Sequence, residues 1–585
     1  MRGIYVDASD DIDTVVLAHA VRIAHYLYPK AHLSAASAVQ LAPSRDGRLF
    51  LSGRRAQRTR IRALEIIQNV APKSPSLGSA IVEDSLGQFP VDVSSMRQRF
   101  LEAFRLRSEH AASIDTGMRE SIAARLVAEY GSPKLASDAV WALARENEWY
   151  REGEGAERFL LRNTTAIPAR NQAVLDLTVA WHALPIGHLV HDGFEWKWTP
   201  GEAAHPPLVR QTTPGRLPPF VVSLLPEGWL ETVLHNRDER TTLRSGKRYM
   251  SNITIVERAE GSSDLPLDIF AARLDQFTTN GLFTGRYAGP GRSELGATFE
   301  QNLARIYKRA DTPRLSGVQV KAPMYLDAEG SLSPSTGTPF THILKPAGAG
   351  GFEALPLVEW TALALGRAAG FDVPAFALVV MPDDMPPALI VERFDIRQGI
   401  GDDRLIAMED LCSVLDLPPA SKYDATMEQV ARAMRPLSTS PEGDLLTLLR
   451  RALFAWLVAD GDMHLKNMAL LKEARPGSRQ FSSVRLAPLY DSVTTRVFPR
   501  LANDRMALKL NGKDDRLRRS DFQSLASTAS LRASLANQAI DDVLERLHAA
   551  VDVAAPPELA SIGAASRETC ARMLGSCRER IATFG

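Results

Sequence analysis

The chain has 585 residues, 45% of them apolar and 24% charged, and its 69 Lys and Arg balance 69 Asp and Glu. Such values exclude a collagenous, coiled-coil or largely disordered chain, and the length calls for roughly two to four domains. A net charge of zero gives no global grip on nucleic acid, so any such contact must come from a local patch. Cys412, Cys570 and Cys577 make no disulfide framework and fit a reducing cytosol. The opening MRGIYVDASDD has neither the basic nor the apolar region of a signal peptide, and apolar stretches such as 452–459 are too short to span a bilayer. The expectation is a soluble cytoplasmic protein without membrane partners.

Residues 1–160 read as a mainly helical accessory domain. Val15, Val16, Val21, Ile23 and Leu27 recur at near-helical spacing until Pro29. Ser34 opens a short Ala-rich helix, and Leu49, Phe50 and Leu51 follow Gly47 as a strand. Further helices are predicted over 94–110, 117–130 and 137–149. Arg45, Arg48, Arg54, Arg55, Arg58, Arg60 and Arg62 form a basic stripe, either a solvated face or a contact for nucleic-acid phosphates. The polar, Gly-rich run 151–157 predicts a hinge or loop before the next unit.

From about residue 170 the texture changes to short strands, predicted over 174–179, 186–190, 194–198, 253–256, 318–325, 341–345, 376–381 and 388–394. One helix interrupts them at 358–369, and beyond 405 the pattern is helical, with a hairpin over 468–472 and 481–487. A strand-rich lobe at 168–395 followed by a helix-rich lobe at 396–585 is the arrangement that a two-lobed kinase needs. The fold class is therefore α+β, kinase-like, with the N-terminal domain added. Cys570 and Cys577 lie seven apart on a helix, a spacing that suits packing better than metal binding.

The strongest local signal is Asp462-Met-His464-Leu-Lys-Asn467, in the D-x-x-x-x-N spacing of a kinase catalytic loop. Phosphoryl transfer needs a carboxylate near the attacking hydroxyl and a neutral oxygen that helps to hold Mg²⁺. Asp460 does not fit that spacing. Twenty-four residues beyond Asn467, after the hairpin, Tyr490-Asp491 supplies a second carboxylate for metal. Lys345 ends an apolar strand where a phosphate-pairing lysine belongs, and Glu359, fourteen residues later, is placed to orient it. The strand reaching Glu392 and Phe394 reads as the hinge whose backbone meets adenine, and the turn Ser316-Gly317-Val318 as exposed amides for phosphates.

In order along the chain stand LLPEG (224–228), LSGVQVK (315–321), THILKP (341–346), VERFD (391–395), MEDLCSVLDLPPASKY (408–423), GDMHLKN (461–467), LAPLYD (486–491) and MALKLNG (506–512). Together they resemble the HipA-type toxin serine/threonine kinases of bacterial toxin–antitoxin systems, over roughly residues 170–550. The resemblance implies ATP and Mg²⁺ as cofactors, a protein substrate such as a component of the translation machinery, an antitoxin partner, and growth arrest or phage defence. It makes Asp462 the general base and Asn467 and Asp491 the metal ligands. Lys345, Ser316, Gly317, Val318, His464, Glu392, Phe394 and Tyr490 would contact ATP. The family's phosphate loop often carries two serines; here Arg314 stands at the first position, so Ser316 is the autophosphorylation candidate. Residues 33–41 and 47–52 resemble, over a short stretch, the AbiEi-type antitoxin or regulator domain. The alternative is an inactive or regulatory module binding nucleotide or DNA.

Overall fold

The computed structural model describes residues 12–44, 47–84, 86–162, 175–181, 184–192, 195–201, 215–227, 230–231, 233, 239–245, 247–258, 272–292, 299–308, 315, 319–348, 350–396, 405–474 and 481–584. They fall into two compact units, one within Met1–Leu175, Val190–Lys197 and Thr213–Arg216, the other within Asp176–Leu189, Trp198–Thr212 and Leu217–Gly585. No helix among the described residues is long and apolar enough to cross a membrane.

Helix outweighs strand in the first unit, as expected, but it holds more strands than the sequence predicted. It carries a six-stranded sheet in the order Gln57–Ile61, Leu64–Val70, Arg48–Gly53, His32–Leu33, Gly87–Ser94, Leu77–Asp84. The strand Gln57–Ile61 escapes a periodicity search because it is an edge strand with Arg58 and Arg60 on its outer face and no apolar alternation. Arg58 is tied to Glu65 at 3.3 Å and to Glu109 at 2.5 Å, whereas Arg54, Arg55, Arg60 and Arg62 are exposed. Arg45 lies outside the described residues.

The predicted hinge at 151–157 is also corrected, since it is part of the helix Tyr150–Arg162. Its glycines are contact points rather than breaks. A Cβ at Gly153 would lie 2.9 Å from the Trp141 ring, and one at Gly155 2.9 Å from Phe104. A mid-helix glycine costs about 1 kcal/mol against alanine, and here it lets two rings close on the helix backbone while Ala156 and Leu160 face the core.

The second unit follows the predicted pattern closely. An eight-stranded sheet places His342–Lys345 between Ala388–Glu392 and Ala322–Leu326, antiparallel to both, with Lys345 opposite Leu389. The helix Leu355–Ala368 starts with a proline in its first turn and is apolar nearly all round, so it is buried, with Glu359 its one charged residue in the interior. The helix Pro441–Leu457 likewise begins with proline and has Glu442 and Asp444 in its first turn, complementing the helix dipole. Its buried Leu445, Leu448, Leu449, Ala452 and Leu453 join one core with Leu355–Ala368 and the helices Arg519–Thr528, Ala533–Ala550 and Ala564–Phe584. Cys570 and Cys577 pack into that core.

In a three-stranded sheet of Leu405–Asp410, Ala469–Ala474 and Ser483–Leu486, the central strand leads straight out of the D-x-x-x-x-N motif. At its centre a fully buried Lys472 pairs with Glu409, its ammonium 4.2 Å from the Trp181 ring and 5.1 Å from that of Phe481. Removing one member of a buried pair leaves the other charge uncompensated, at about 3–5 kcal/mol. Lys472→Met should therefore lower the melting temperature sharply, and Lys472→Met/Glu409→Leu should recover most of the loss. A single variant that melts like the wild type would show that the pair carries no such energy.

Candidate active site

The loop that carries Asp462 is fixed before it reaches the cleft. The helix Pro441–Leu457 ends, and Ala459 turns the chain with a φ of 54°. Asp460 is buried; it accepts the Asp462 N–H at 2.9 Å, the Ser492 hydroxyl at 2.7 Å and the Val493 N–H at 3.3 Å. Gly461 must be glycine, because a Cβ there would sit 2.2 Å from an Asp504 oxygen and 2.8 Å from the Arg505 carbonyl. Asp462 follows, its Oδ1 accepting the Tyr423 hydroxyl at 2.7 Å with His464 Nε2 at 3.6 Å. Asn467 donates its side-chain N–H to the Asp462 carbonyl at 2.7 Å, closing the loop on itself.

Facing this loop is a charge cluster drawn from four segments. Lys345, at the end of its strand, pairs with Glu359 of the helix Leu355–Ala368 and with Asp491. Lys321 reaches the second oxygen of Asp491 at 2.9 Å. Asp491 itself has a φ of 50°, a left-handed conformation that a non-glycine residue adopts where the surroundings hold it there. A cleft of about 600 Å³ is lined by Lys321, Lys345, Glu359, Asp462, Asn467 and Asp491 together, with His464, Tyr490 and Tyr423 on its walls.

Electrostatics divide the carboxylates into two kinds. Burial alone would raise Asp491, but Lys321 and Lys345 hold it well below the usual carboxylate range. Burial opposes the charge of Lys345, and Asp491 and Glu359 outweigh it, so the ammonium is held above its ordinary pKa. Burial raises Asp462, against the Tyr423 hydrogen bond and Lys422. Burial pushes Asp460 up to about 7 and drives His464 down to about 3, which leaves the imidazole neutral.

The sequence-predicted residues sort as follows. Lys345, His464, Asn467, Tyr490, Asp491 and Asp462 converge on the cleft. Glu392 and Phe394 do not line it. The Glu392 carboxylate turns to the Leu274 N–H at 2.7 Å and to Arg273 at 2.5 Å, and its own N–H is taken by the Ala375 carbonyl at 2.9 Å. The Phe394 ring meets that of Tyr490, with 5.2 Å between their centres. Ser316, Gly317 and Val318 lie outside the described residues.

Several residues gained no role from spacing yet stand at the site. Lys466 donates to the Ser223 carbonyl at 2.9 Å and pairs with Glu227, which also draws Lys422 to 3.7 Å. The Tyr490 hydroxyl donates to the Lys466 carbonyl at 3.0 Å, so this lysine also anchors the turn that bears Asp491. Glu227, Lys321 and Tyr423 fall in LLPEG, LSGVQVK and the SKY that closes the fifth motif, and those short stretches were the available signal.

A lysine–glutamate pair under a sheet, a D-x-x-x-x-N loop and a carboxylate after a hairpin belong to a protein-kinase-like fold. The comparisons agree. Residues 314–551 match the model of the HipA-like C-terminal domain. A Sinorhizobium fredii (strain NBRC 101917 / NGR234) protein bearing the name "Putative kinase Y4mE" is 33% identical over 248 residues, 40% of this chain and 56% of that protein. The chain thus spans just over half the length of this relative. "Putative kinase Y4dM" of the same organism is 26% identical over 354 residues, 57% of this chain and 76% of that one. Among solved structures, HipA in the Shewanella oneidensis MR-1 complex of HipA, HipB and operator DNA aligns with a TM-score of 0.50 at 17% identity. The alignment covers 70% of this chain and 97% of HipA, a likeness of fold.

The buried Asp460 sets a stability signature. Its folded pKa of about 7 lies above the ordinary carboxylate value, so its contribution is full at low pH and is lost as pH rises through about 7. Between pH 4 and 8 the wild type should lose stability that Asp460→Asn does not lose. Parallel pH–stability curves for the two proteins would contradict a titrating Asp460.

Proposed function

We propose that the second unit is an ATP- and Mg²⁺-dependent protein kinase of the HipA type that phosphorylates serine or threonine. On this reading the chain is the toxin component of a bacterial toxin–antitoxin or defence system. The observation that supports it best is the convergence in one cleft of Lys345, Glu359 and Asp491 with the Asp462–Asn467 loop. Mg²⁺ takes oxygen ligands, and the donors fit. Asp491 is ionised, and the Asn467 N–H bond to the Asp462 carbonyl leaves the amide oxygen as ligand. ATP brings the phosphoryl group, and Mg²⁺ neutralises the charge on its phosphates.

Lys345 and Lys321 are the cations that would turn from Asp491 to phosphate oxygens. Asp462 orients the acceptor hydroxyl and takes its proton, for which burial, by raising its pKa, makes it a better base than an ordinary aspartate. The phosphate loop is proposed at Ser316-Gly317-Val318, with Ser316 the site of autophosphorylation, and adenine toward the Tyr490–Phe394 ring pair. The solved HipA is in complex with HipB and operator DNA; a HipB-like antitoxin and nucleic acid are the partners proposed here. The exposed Arg54, Arg55, Arg60 and Arg62 of the first unit would meet phosphates.

Asp462→Asn should bind ATP as the wild type does and transfer phosphate about 10²–10⁴-fold more slowly, the usual share of general-base catalysis. Asp491→Ala should lose metal-dependent transfer while its melting temperature shows a folded protein. Isothermal titration with ATP–Mg²⁺ and radiolabel transfer in extracts of cells check both, and wild-type transfer from either variant excludes the assignment.

A further inference from the structure

The transfer chemistry leaves one contact in the cleft unused. Tyr423 follows the short turn Pro419–Ser421, and its hydroxyl donates to Asp462 Oδ1 at 2.7 Å. A general base must lie within about 2.6–3.2 Å of the hydroxyl it deprotonates, so the phenol stands where an acceptor hydroxyl would stand. The ring is gripped rather than loose. His464 meets it edge-on at 5.0 Å and 81°, and the Lys422 ammonium lies 5.6 Å from its centre. Lys422 is in turn drawn to Glu227. At 46% exposed, the residue sits at the mouth of the cleft, where a macromolecular acceptor would enter.

The phenol is a poor acceptor in its own right. Burial raises its pKa, and the nearby carboxylates of Asp462, Asp504 and Glu227 raise it further, so it keeps its proton. A group that donates to the base without giving up its proton occupies the seat without reacting.

We propose that Tyr423 is a positioning residue whose hydroxyl holds the acceptor seat on Asp462, orients that carboxylate and keeps water out until a protein hydroxyl displaces it. The proposal rests on the kinase assignment made above. With the seat vacated, a water oxygen would bond to the γ-phosphorus of ATP and pass a proton to Asp462. The bond from the γ-phosphorus to the β–γ bridging oxygen would break, releasing ADP and inorganic phosphate. Tyr423 thus suppresses hydrolysis of ATP in the absence of a protein acceptor.

The test uses the full chain with ATP–Mg²⁺ and no protein acceptor, comparing wild type, Tyr423→Phe, Asp462→Asn and the double variant. Phenylalanine keeps the ring contacts with His464 and Lys422, and a melting curve verifies the fold. Tyr423→Phe should bind ATP with wild-type affinity by calorimetry and release phosphate several-fold faster, and the double variant should lose that excess. A merely structural role would lower the rate. Phosphate release at or below the wild-type rate with ATP bound normally overturns the proposal, as does an excess that survives loss of Asp462. Phosphate found on Tyr423 of the wild type also overturns it, because the residue would then be an acceptor. Wild-type protein that binds no ATP overturns the kinase assignment itself and the proposal with it.

Discussion

A lysine ammonium buried between two carboxylates is the constraint around which the second unit is arranged. Lys345 is 6% exposed at its side chain, and a lone charge at such a depth would shed its proton or unfold its surroundings. Glu359 and Asp491 prevent that, each from a different element, and Lys321 restores the balance as a second cation on Asp491. The end of a strand, the face of a buried helix and the turn after a hairpin are thereby held at one point. Breaking such a pair from one side costs about 3–5 kcal/mol, so the three elements are strongly tied. On the function proposed above, the pair would also be a store of cationic charge for phosphates that replace the Asp491 carboxylate.

Opposite this cluster, the loop that carries Asp462 is held by a second set of ties that are nearly all neutral or local. Asp460 gathers three hydrogen bonds beneath the loop, Gly461 lets Asp504 approach, and Asn467 closes the loop through the Asp462 carbonyl. Lys466 then fastens it to Ser223 and Glu227 on one side and, through its carbonyl, to Tyr490 on the other. Asp462 is therefore presented on a rigid support, which would set the reach of the base proposed above to within a fraction of an ångström.

Much of this was legible in the sequence where local pattern decides structure. The strand ending at Lys345, the helix bearing Glu359 and the hairpin before Asp491 all announce themselves by period and punctuation, and the D-x-x-x-x-N spacing selected Asp462 over Asp460. Contacts across long separations were not legible. Lys321 meets Asp491 across 170 residues and Lys466 meets Glu227 across 239, and no spacing rule in a single chain connects them. The N-terminal sheet failed for another reason. The edge strand Gln57–Ile61 has Ile61 as its one apolar residue, and the strands Leu77–Asp84 and Gly87–Ser94 interrupt their alternation with Gly, Pro and acidic residues. At 151–157 composition misled outright, because glycines that read as a hinge are helix positions closed upon by Trp141 and Phe104.

The most direct measurement is a crystal structure of the full chain with a non-hydrolysable ATP analogue and Mg²⁺. The account predicts the analogue's phosphates in the cleft lined by Lys321, Lys345, Asn467 and Asp491, with Lys345 still paired to Glu359 but released from Asp491 to a phosphate oxygen. Asp491 and Asn467 would then hold the metal. An analogue bound elsewhere, or a Lys345–Asp491 pair that persists beside a bound nucleotide, would contradict it.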